Sequence, residues 1–151
     1  MKPEPLKPLS HGAQNHCFGC GEANTSGLRL KFFVDDHKQV VAKVRLARRF
    51  EGPPGYAHGG VIATLLDEAM SKANRLHGVV AMTRQMEIEY LRPVPLQQTI
   101  TLAGRRTAHQ GRKHHCEAEI INASGTVLAR GKALFIAIDR SLIERLEKRM
   151  A

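Results

Sequence analysis

Tryptophan is absent from this chain of 151 residues, and aromatic residues make up only 5% of it. Proteins that bind single-stranded nucleic acid usually stack bases on aromatic side chains, so the sequence offers poor support for that class of partner. Residues 1–27 are also too short and too rich in Gly and Pro for a helix-turn-helix module. No apolar run approaches the roughly 20 residues that a membrane-spanning helix requires. We therefore expect no nucleic-acid partner and no membrane span.

Cysteine is scarce as well, with an odd count of three. The first twelve residues contain prolines and lysines but no apolar signal core, so we expect reduced thiols in the cytoplasm. The net charge of +9 favours an anionic partner, such as nucleic acid, a membrane surface or a phosphorylated small molecule. Charge alone does not choose among these three.

The length predicts one domain. Residues 1–16 have no periodicity and are expected to form a loose arm. Residues 28–34 and 40–46 have the composition of two strands, joined by a polar turn at residues 35–38. Residues 48–60 contain Gly52-Pro53-Pro54-Gly55, which excludes regular structure there.

A long helix is predicted over residues 61–76, because apolar side chains recur there at helical spacing. Its apolar stripe is wide, which indicates that the helix is largely enclosed by the rest of the fold. Gly78 is expected to end it. The apolar positions are Val61, Ile62, Leu65, Leu66, Ala69, Met70, Ala73 and Leu76.

Four strands are predicted after the helix, over residues 80–90, 98–107, 113–122 and 127–138. In the first, Val80, Met82, Met86, Ile88 and Tyr90 are expected on one side, opposite Ala81, Thr83, Gln85, Glu87 and Glu89. The connections are too short for crossover helices, so the sheet is expected to be antiparallel. The predicted division is an arm and loop at 1–27, an α+β domain at 28–138 and a charged helix at 139–151.

The most informative stretch is His58-Gly59-Gly60, followed by an apolar run and then Asp67. Two glycines before a helical pattern let the backbone approach a ligand and leave the first N–H groups of the helix pointing at it. Such a helix end can hold a developing oxyanion. A carboxylate in apolar surroundings needs either a partner or a chemical role. The stretch predicts a reaction centre.

This motif, with the order of elements, resembles the hotdog-fold acyl-CoA thioesterases, in the branch related to the phenylacetate-pathway thioesterase. The stretches that carry the resemblance cover residues 16 to about 138, and their spacing makes the match specific. One departure is Thr25-Ser26, where this branch often has a proline. The matching stretches are His58-Gly59-Gly60-x6-Asp67, Cys17-Phe18-Gly19-Cys20-Gly21 with Asn24 and Gly27-Leu28, Thr83 with Tyr90-Leu91-Arg92-Pro93-Val94-Pro95, and Gly111-Arg112-Lys113.

The resemblance implies a curved antiparallel sheet around a central helix and the hydrolysis of an acyl-CoA thioester without a cofactor. Asp67 is implied as the general base or the nucleophile, and the family does not settle which. The Gly60 N–H is implied as the donor to the thioester carbonyl, with Gly59 at the substrate. His58 is implied to position the thioester, and Thr83 to hold the carboxylate or the water.

Binding of coenzyme A and assembly follow from the same resemblance. Arg112 and Lys113 are implied to approach the phosphates of coenzyme A, which suits a basic protein.

Gly60 and Asp67 are separated by roughly 10 Å of helical rise, too far for both to reach one carbonyl carbon. We therefore expect a homo-oligomer, a dimer or a dimer of dimers, with the active site at the subunit interface.

Cys17 and Cys20 have the spacing of a metal-binding pair, but a structural zinc site needs two more ligands. Cys116 with His114 or His115 are the only obvious candidates, and no second such pair exists. The sequence therefore predicts no metal and a packing role for Cys17 and Cys20. Glu68, beside Asp67, is expected to be a surface or partner-contacting acid.

Two rival functions remain. A hotdog domain could bind acyl-CoA without hydrolysing it, although a binding module has no need of a buried carboxylate. A dehydratase acting on 3-hydroxyacyl thioesters would show a different arrangement of His and acid, which this sequence lacks. The acyl group is not predicted, and short aliphatic, medium-chain and aryl groups stay open.

Overall fold

An antiparallel sheet packs against one face of a long helix in the computed structural model, which describes residues 4–6 and 15–150. In this part of the chain the sheet has seven strands in the spatial order β1-β2-β3-β5-β6-β7-β4. The strands are β1 (Glu4–Pro5), β2 (Phe33–Val34), β3 (Val40–Arg45), β4 (Ala81–Tyr90), β5 (Thr99–Gln110), β6 (Lys113–Ile121) and β7 (Val127–Ala137). The helices are α1 (Gly59–Leu76) and α2 (Arg140–Met150), with a 3-10 turn at Arg48–Phe50.

Helix α1 packs on the sheet through the apolar stripe that its periodicity predicts. Leu65, Leu66, Ala69 and Met70 are fully buried there. The contact is close enough that a Cβ on Gly104 of β5 would lie 2.5 Å from the Ala69 carbonyl oxygen. A glycine at this point lets the strand backbone touch the helix. The prediction of an antiparallel α+β fold around one enclosed helix is confirmed.

The region before α1 is less regular than predicted. The hairpin turn at residues 35–38 is present, and Lys38 there has a φ of 58°. Of the strand predicted over 28–34, only β2 forms. The Leu28 and Leu30 N–H groups donate instead to the carbonyls of Phe18 and Gly19. Contact with the preceding loop thus replaces strand pairing.

The N-terminal arm was predicted to be loose, yet β1 within it pairs with β2. Residues 1–3 and 7–14 of the predicted arm lie outside the described residues.

Strand β4 departs from the predicted alternation at one point. A bulge between Thr83 and Gln85 shifts the register against β7. Thr83, Met86 and Ile88 consequently face α1, whereas Met82 is 64% exposed. The assignment of Met82 to the apolar side and Thr83 to the polar side was therefore wrong, because a strict period of two does not include an extra residue.

The C-terminal helix forms as predicted, as α2. Its Leu142 and Leu146 are exposed, so the helix is peripheral to the core. No helix in the described part of the chain is long and apolar enough to cross a membrane.

Candidate active site

The N-terminus of α1 is built by His58, Gly59 and Gly60. His58 is the N-cap residue, and its extended backbone, with ψ of 141°, lets its carbonyl accept the N–H groups of Val61 and Ile62. Its ring Nδ1 accepts the Gly60 N–H at 2.9 Å. The imidazole therefore caps the helix, which places the second ring nitrogen, Nε2, as the N–H donor of the neutral ring.

These bonds distinguish the two glycines. The Gly60 N–H, predicted as the donor to a thioester carbonyl, is occupied by His58. Among the described residues, the Gly59 N–H has no acceptor. The free donor at this helix end is thus one residue earlier than predicted, and it carries the partial positive charge of the helix N-terminus.

Asp67 lies two turns further along α1, partly buried, on the side of the helix that faces β4. Thr83 of β4 donates its hydroxyl to Asp67 Oδ1 at 2.5 Å. A short hydrogen bond to an ionised oxygen holds the carboxylate in one orientation and leaves Oδ2 for other partners. The structure therefore brings together Asp67 and Thr83, with Thr83 on the carboxylate, one of the two partners that the family resemblance implied for it.

Asp67 and the Gly59 N–H do not meet within one chain. Eight residues of helix separate them by about 12 Å along the axis. Both lie beside β4, which is the last strand of the sheet and pairs only with β7 in the described part of the chain. A second chain placed along this edge could bring one group to the other.

Tyr90, at the end of β4, is part of the candidate site, although it was not predicted as a site residue. Its hydroxyl donates to the Gly59 carbonyl at 3.0 Å, and its ring lies 3.7 Å from where a Gly59 Cβ would stand. The side chain is still 54% exposed. Tyr90 thus braces the helix end and lines its approach; its place in the motif before Pro93 and Pro95 was the available signal.

Arg112 and Lys113 lie at the tight turn between β5 and β6, where Gly111 has a φ of 57°. Both side chains are exposed. The Arg112 Nε donates to the Ala137 carbonyl at 3.1 Å, which holds the guanidinium against the end of β7. Lys113 of β6 pairs with Ile136 of β7, and Ile136 pairs on its other side with Met82 near the start of β4. The turn therefore lies two strands away from the start of β4.

A second polar cluster lies next to Asp67 on α1. Glu68 contacts Lys72 at 3.8 Å, with side chains only 13% and 9% exposed, and Lys72 donates to Cys20 Sγ at 3.3 Å. Burial, with the Glu68 carboxylate adding to it, raises the pKa of the Cys20 thiol to about 12. The surface position predicted for Glu68 was wrong, because the loop around Cys17 and Cys20 covers it, whereas the alternative of a contact with a partner chain stays a prediction.

Cys116 takes no part in that cluster. It is buried on β6 and donates to Asn74 Oδ1 at 3.2 Å. His114, on the same strand, contacts Arg106. The ligand set that would join the two N-terminal cysteines to Cys116 and a neighbouring histidine, which the sequence analysis did not favour, is therefore not formed.

A groove of about 420 Å³ lies on the face of the sheet opposite α1. Gln85, His115 and Lys132 line it, and its Glu117 carboxylate is paired with Arg105 at 2.7 Å. Neither Asp67 nor the end of α1 is among the residues that line this groove. Asp67 and the start of α1, the groups that could act on a carbonyl, therefore lie at the edge beside β4 and not in this groove.

A long helix against an antiparallel sheet, with a carboxylate and a helix N-terminus at its open edge, defines a hotdog-fold domain with a candidate hydrolytic site. Residues 54–129 match the model of the Thioesterase superfamily, about half of the chain, and the chain belongs to this family.

Curated proteins of other organisms are similar to this chain in sequence. Acyl-coenzyme A thioesterase THEM4 of Mus musculus is 31% identical over 110 residues, 72% of this chain and 47% of that protein. The chain spans about half the length of the curated relatives that it matches.

Among solved structures, the thioesterase superfamily protein RHA08564 superposes with a TM-score of 0.77 at 34% identity, covering 81% of this chain and 60% of that one. The smu.793 protein of Streptococcus mutans UA159, bound to acetyl CoA, has a TM-score of 0.63 at 23% identity, covering 66% and 81%. This second likeness is one of fold.

Proposed function

We propose that this protein hydrolyses an acyl-CoA thioester to a free acid and coenzyme A. The observation that carries the proposal is Asp67, held at 2.5 Å by Thr83 on the same open edge as the N-terminus of α1, where the Gly59 N–H has no acceptor in the described part of the chain. Thioester hydrolysis needs charge stabilisation at the carbonyl oxygen and either an activated water or an acyl-enzyme. The two features supply these needs.

In the proposed mechanism, the thioester carbonyl oxygen accepts the Gly59 N–H. The partial positive charge at the end of α1 stabilises the negative charge that develops as the carbonyl carbon becomes tetrahedral. His58 holds Gly60 and the first turn in place through its ring Nδ1. For the Gly60 N–H to be the donor, as the sequence predicted, substrate would have to displace that ring.

Asp67 acts on the carbonyl carbon, either by taking a proton from a water or by attacking directly. In the first case the water oxygen adds, the carbon–sulfur bond breaks, and coenzyme A leaves as the thiol with the proton that Asp67 took from the water. In the second, a carboxylate oxygen bonds to the carbonyl carbon, the carbon–sulfur bond breaks as coenzyme A leaves, and water then hydrolyses the acyl–Asp67 anhydride to the free acid. Thr83 orients the carboxylate in both cases. Neither route is favoured by the contacts of Asp67.

The substrate class rests on charge and on relatives. The mouse relative is named an acyl-coenzyme A thioesterase, and the streptococcal structure holds acetyl CoA. Coenzyme A carries several phosphate charges, and this chain has a net charge of +9. We assign Arg112 and Lys113 to those phosphates because both are exposed on one rigid turn.

We also propose that two chains share each site across the exposed edge of β4. A long edge strand with unpaired backbone groups is a ready surface for pairing with another strand. The edge also exposes Met82 and Tyr90, at 64% and 54%. An antiparallel arrangement about a two-fold axis would place Asp67 of one chain near Gly59 of its partner, twice per dimer.

The test is a thiol-release assay on a panel of acyl-CoAs with short aliphatic, medium-chain and aryl groups. Wild-type protein should release free thiol from at least one of them. Asp67→Ala should lower kcat by about 10²–10⁴-fold, because it removes the group that acts on the reacting carbon. The matched control is Asp36→Ala, an exposed acid in the turn between β2 and β3, which should keep wild-type kcat.

Activity of Asp67→Ala close to that of the wild type would contradict the mechanism. Tight binding of an acyl-CoA without any thiol release by the wild type would instead favour the alternative, a module that binds acyl-CoA without hydrolysing it.

A further inference from the structure

We propose that Cys17, Cys20 and Glu68 form a binding site for Zn²⁺, with Lys72 as a hydrogen-bond donor to the ligands. The site would fasten the loop over residues 15–30 to helix α1, one residue from Asp67. This assigns a metal where the sequence predicted none, because the third ligand comes from the helix and not from a second pair of cysteines.

The three ligand atoms are already close to one another. The two Sγ atoms and a Glu68 carboxylate oxygen lie within 4.8 Å of one another. In a tetrahedral zinc site, bonds of about 2.0–2.3 Å hold such ligand atoms about 3.5–3.8 Å apart. Closure around a metal therefore requires shifts of about 1 Å, within the reach of side-chain rotation.

The loop backbone is shaped to bring the two cysteines onto the carboxylate. A Cβ on Gly19, between them, would stand 2.5 Å from Glu68 Oε2, so the loop rests directly on that side chain. The Gly21 N–H donates to the Cys17 carbonyl at 2.8 Å, which folds the Cys17–Cys20 segment into one turn. The Cys17 N–H in turn donates to Asn15 Oδ1 at 3.1 Å.

A divalent cation can bind at this place without changing the net charge of the cluster. Glu68 and Lys72 form a largely enclosed pair of opposite charges, and the two cysteines lie beside them. Zn²⁺ would displace one proton from each thiol. The charges then again sum to zero over the two thiolates, the carboxylate, the Lys72 ammonium and the metal. The partly buried site therefore binds the metal without acquiring a net charge.

The donor set distinguishes among metals. Thiolates select soft or borderline cations and exclude Mg²⁺ and Ca²⁺, while the carboxylate oxygen favours Zn²⁺ over Cu⁺. We assign the fourth coordination position to a water. Lys72, at 3.3 Å from Cys20 Sγ, would remain as a donor to the thiolate and hold it in place.

The experiment uses the full chain, reduced and freed of metal, titrated with Zn²⁺ against a chromophoric chelator. We expect one zinc per chain for the wild type. Cys17→Ser and Cys20→Ser should each weaken the affinity at least about 100-fold, and Lys72→Met about 10–100-fold, as expected for a partner of a ligand. Cys116→Ser is the matched control and should bind zinc like the wild type, since Cys116 lies away from the cluster on β6.

Cobalt provides a second readout that needs no variant. Co²⁺ bound by the wild type should show intense sulfur-to-metal charge-transfer absorption, which Zn²⁺ then abolishes by displacement. Wild-type protein that takes up less than one zinc per chain, or Cys17→Ser with unchanged zinc affinity, would overturn the proposal. So would a Co²⁺ complex without thiolate absorption.

Discussion

Two adjacent glycines at the start of α1 have different hydrogen bonds, and this difference locates the proposed oxyanion donor. The Gly60 N–H is used by the His58 ring, whereas the Gly59 N–H is free among the described residues. Both side chains are a single hydrogen, so the residue type does not show which N–H is free. Only the capping interaction of His58 separates them, and that interaction depends on the ring conformation of the N-cap residue.

Replacement of Gly59 by proline tests this donor. Gly59 is the first helical residue, where proline is well tolerated, and His58 has the extended backbone that a following proline requires. Gly59→Pro therefore removes the N–H while keeping the helix. We expect kcat to fall by about 10²–10³-fold, the usual effect of losing one oxyanion donor, in steady-state thiol-release kinetics.

The control for that experiment is Gly59→Ala, which keeps the N–H. Its Cβ would stand 3.7 Å from the Tyr90 ring, an ordinary contact. Gly59→Ala should lose much less activity than Gly59→Pro. Equal losses would mean that the added carbon atoms, and not the missing N–H, cause the effect.

The β5–β6 hairpin carries an enclosed histidine. His114 is only 4% exposed, and its ring stacks on His109 and contacts Arg106 at 3.4 Å. Burial lowers the pKa of His114 from its usual 6.5, and the positive charge of Arg106 lowers it further. Burial and Arg106 act in the same direction on His77, at the end of α1.

These histidines should make the fold sensitive to acid. Below pH 6.5 the unfolded chain binds protons that the folded His114 does not, so the free energy of unfolding should fall as the pH falls toward the lowered value. In melts between about pH 8 and 5, the Tm of the wild type should fall more than that of His114→Gln. His115→Gln, on the exposed side of β6, is the control and should follow the wild type. Parallel Tm curves for all three proteins would refute a contribution from His114.

In the proposed mechanism, a complete site requires two chains. Within one chain, Gly59 and Asp67 are about 12 Å apart along α1. The exposed edge of β4 is where a partner chain would bring its own Asp67 to this Gly59. Oligomeric state and a cytoplasmic location both stay predictions.

A mixed dimer tests the shared site. Asp67→Ala and Gly59→Pro chains, each nearly inactive alone, are co-expressed with different affinity tags, and the mixed species is purified. One of its two sites then carries both changes and the other carries neither, so about half of the wild-type activity should return. If the folded mixed dimer stays inactive, each chain must build its own site.

The sequence alone was sufficient for features that depend on neighbouring residues. The long helix, its end at Gly78 and the four strands that follow it are predicted by periodicity and turn chemistry, and each is present. The same holds for the motif of His58 and Asp67, since a helix end and a side chain two turns away are set by helical geometry.

Other features depend on residues that are distant along the chain and meet only when the elements pack together. The bulge in β4 turned Thr83 toward Asp67, because the pairing of β4 with β7 accommodates an extra residue that alternation cannot reveal. Contact between the N-terminal loop and α1 enclosed Glu68 with Cys20. Neither contact has a local signature, since each joins side chains more than ten residues apart and forms only when separate elements pack.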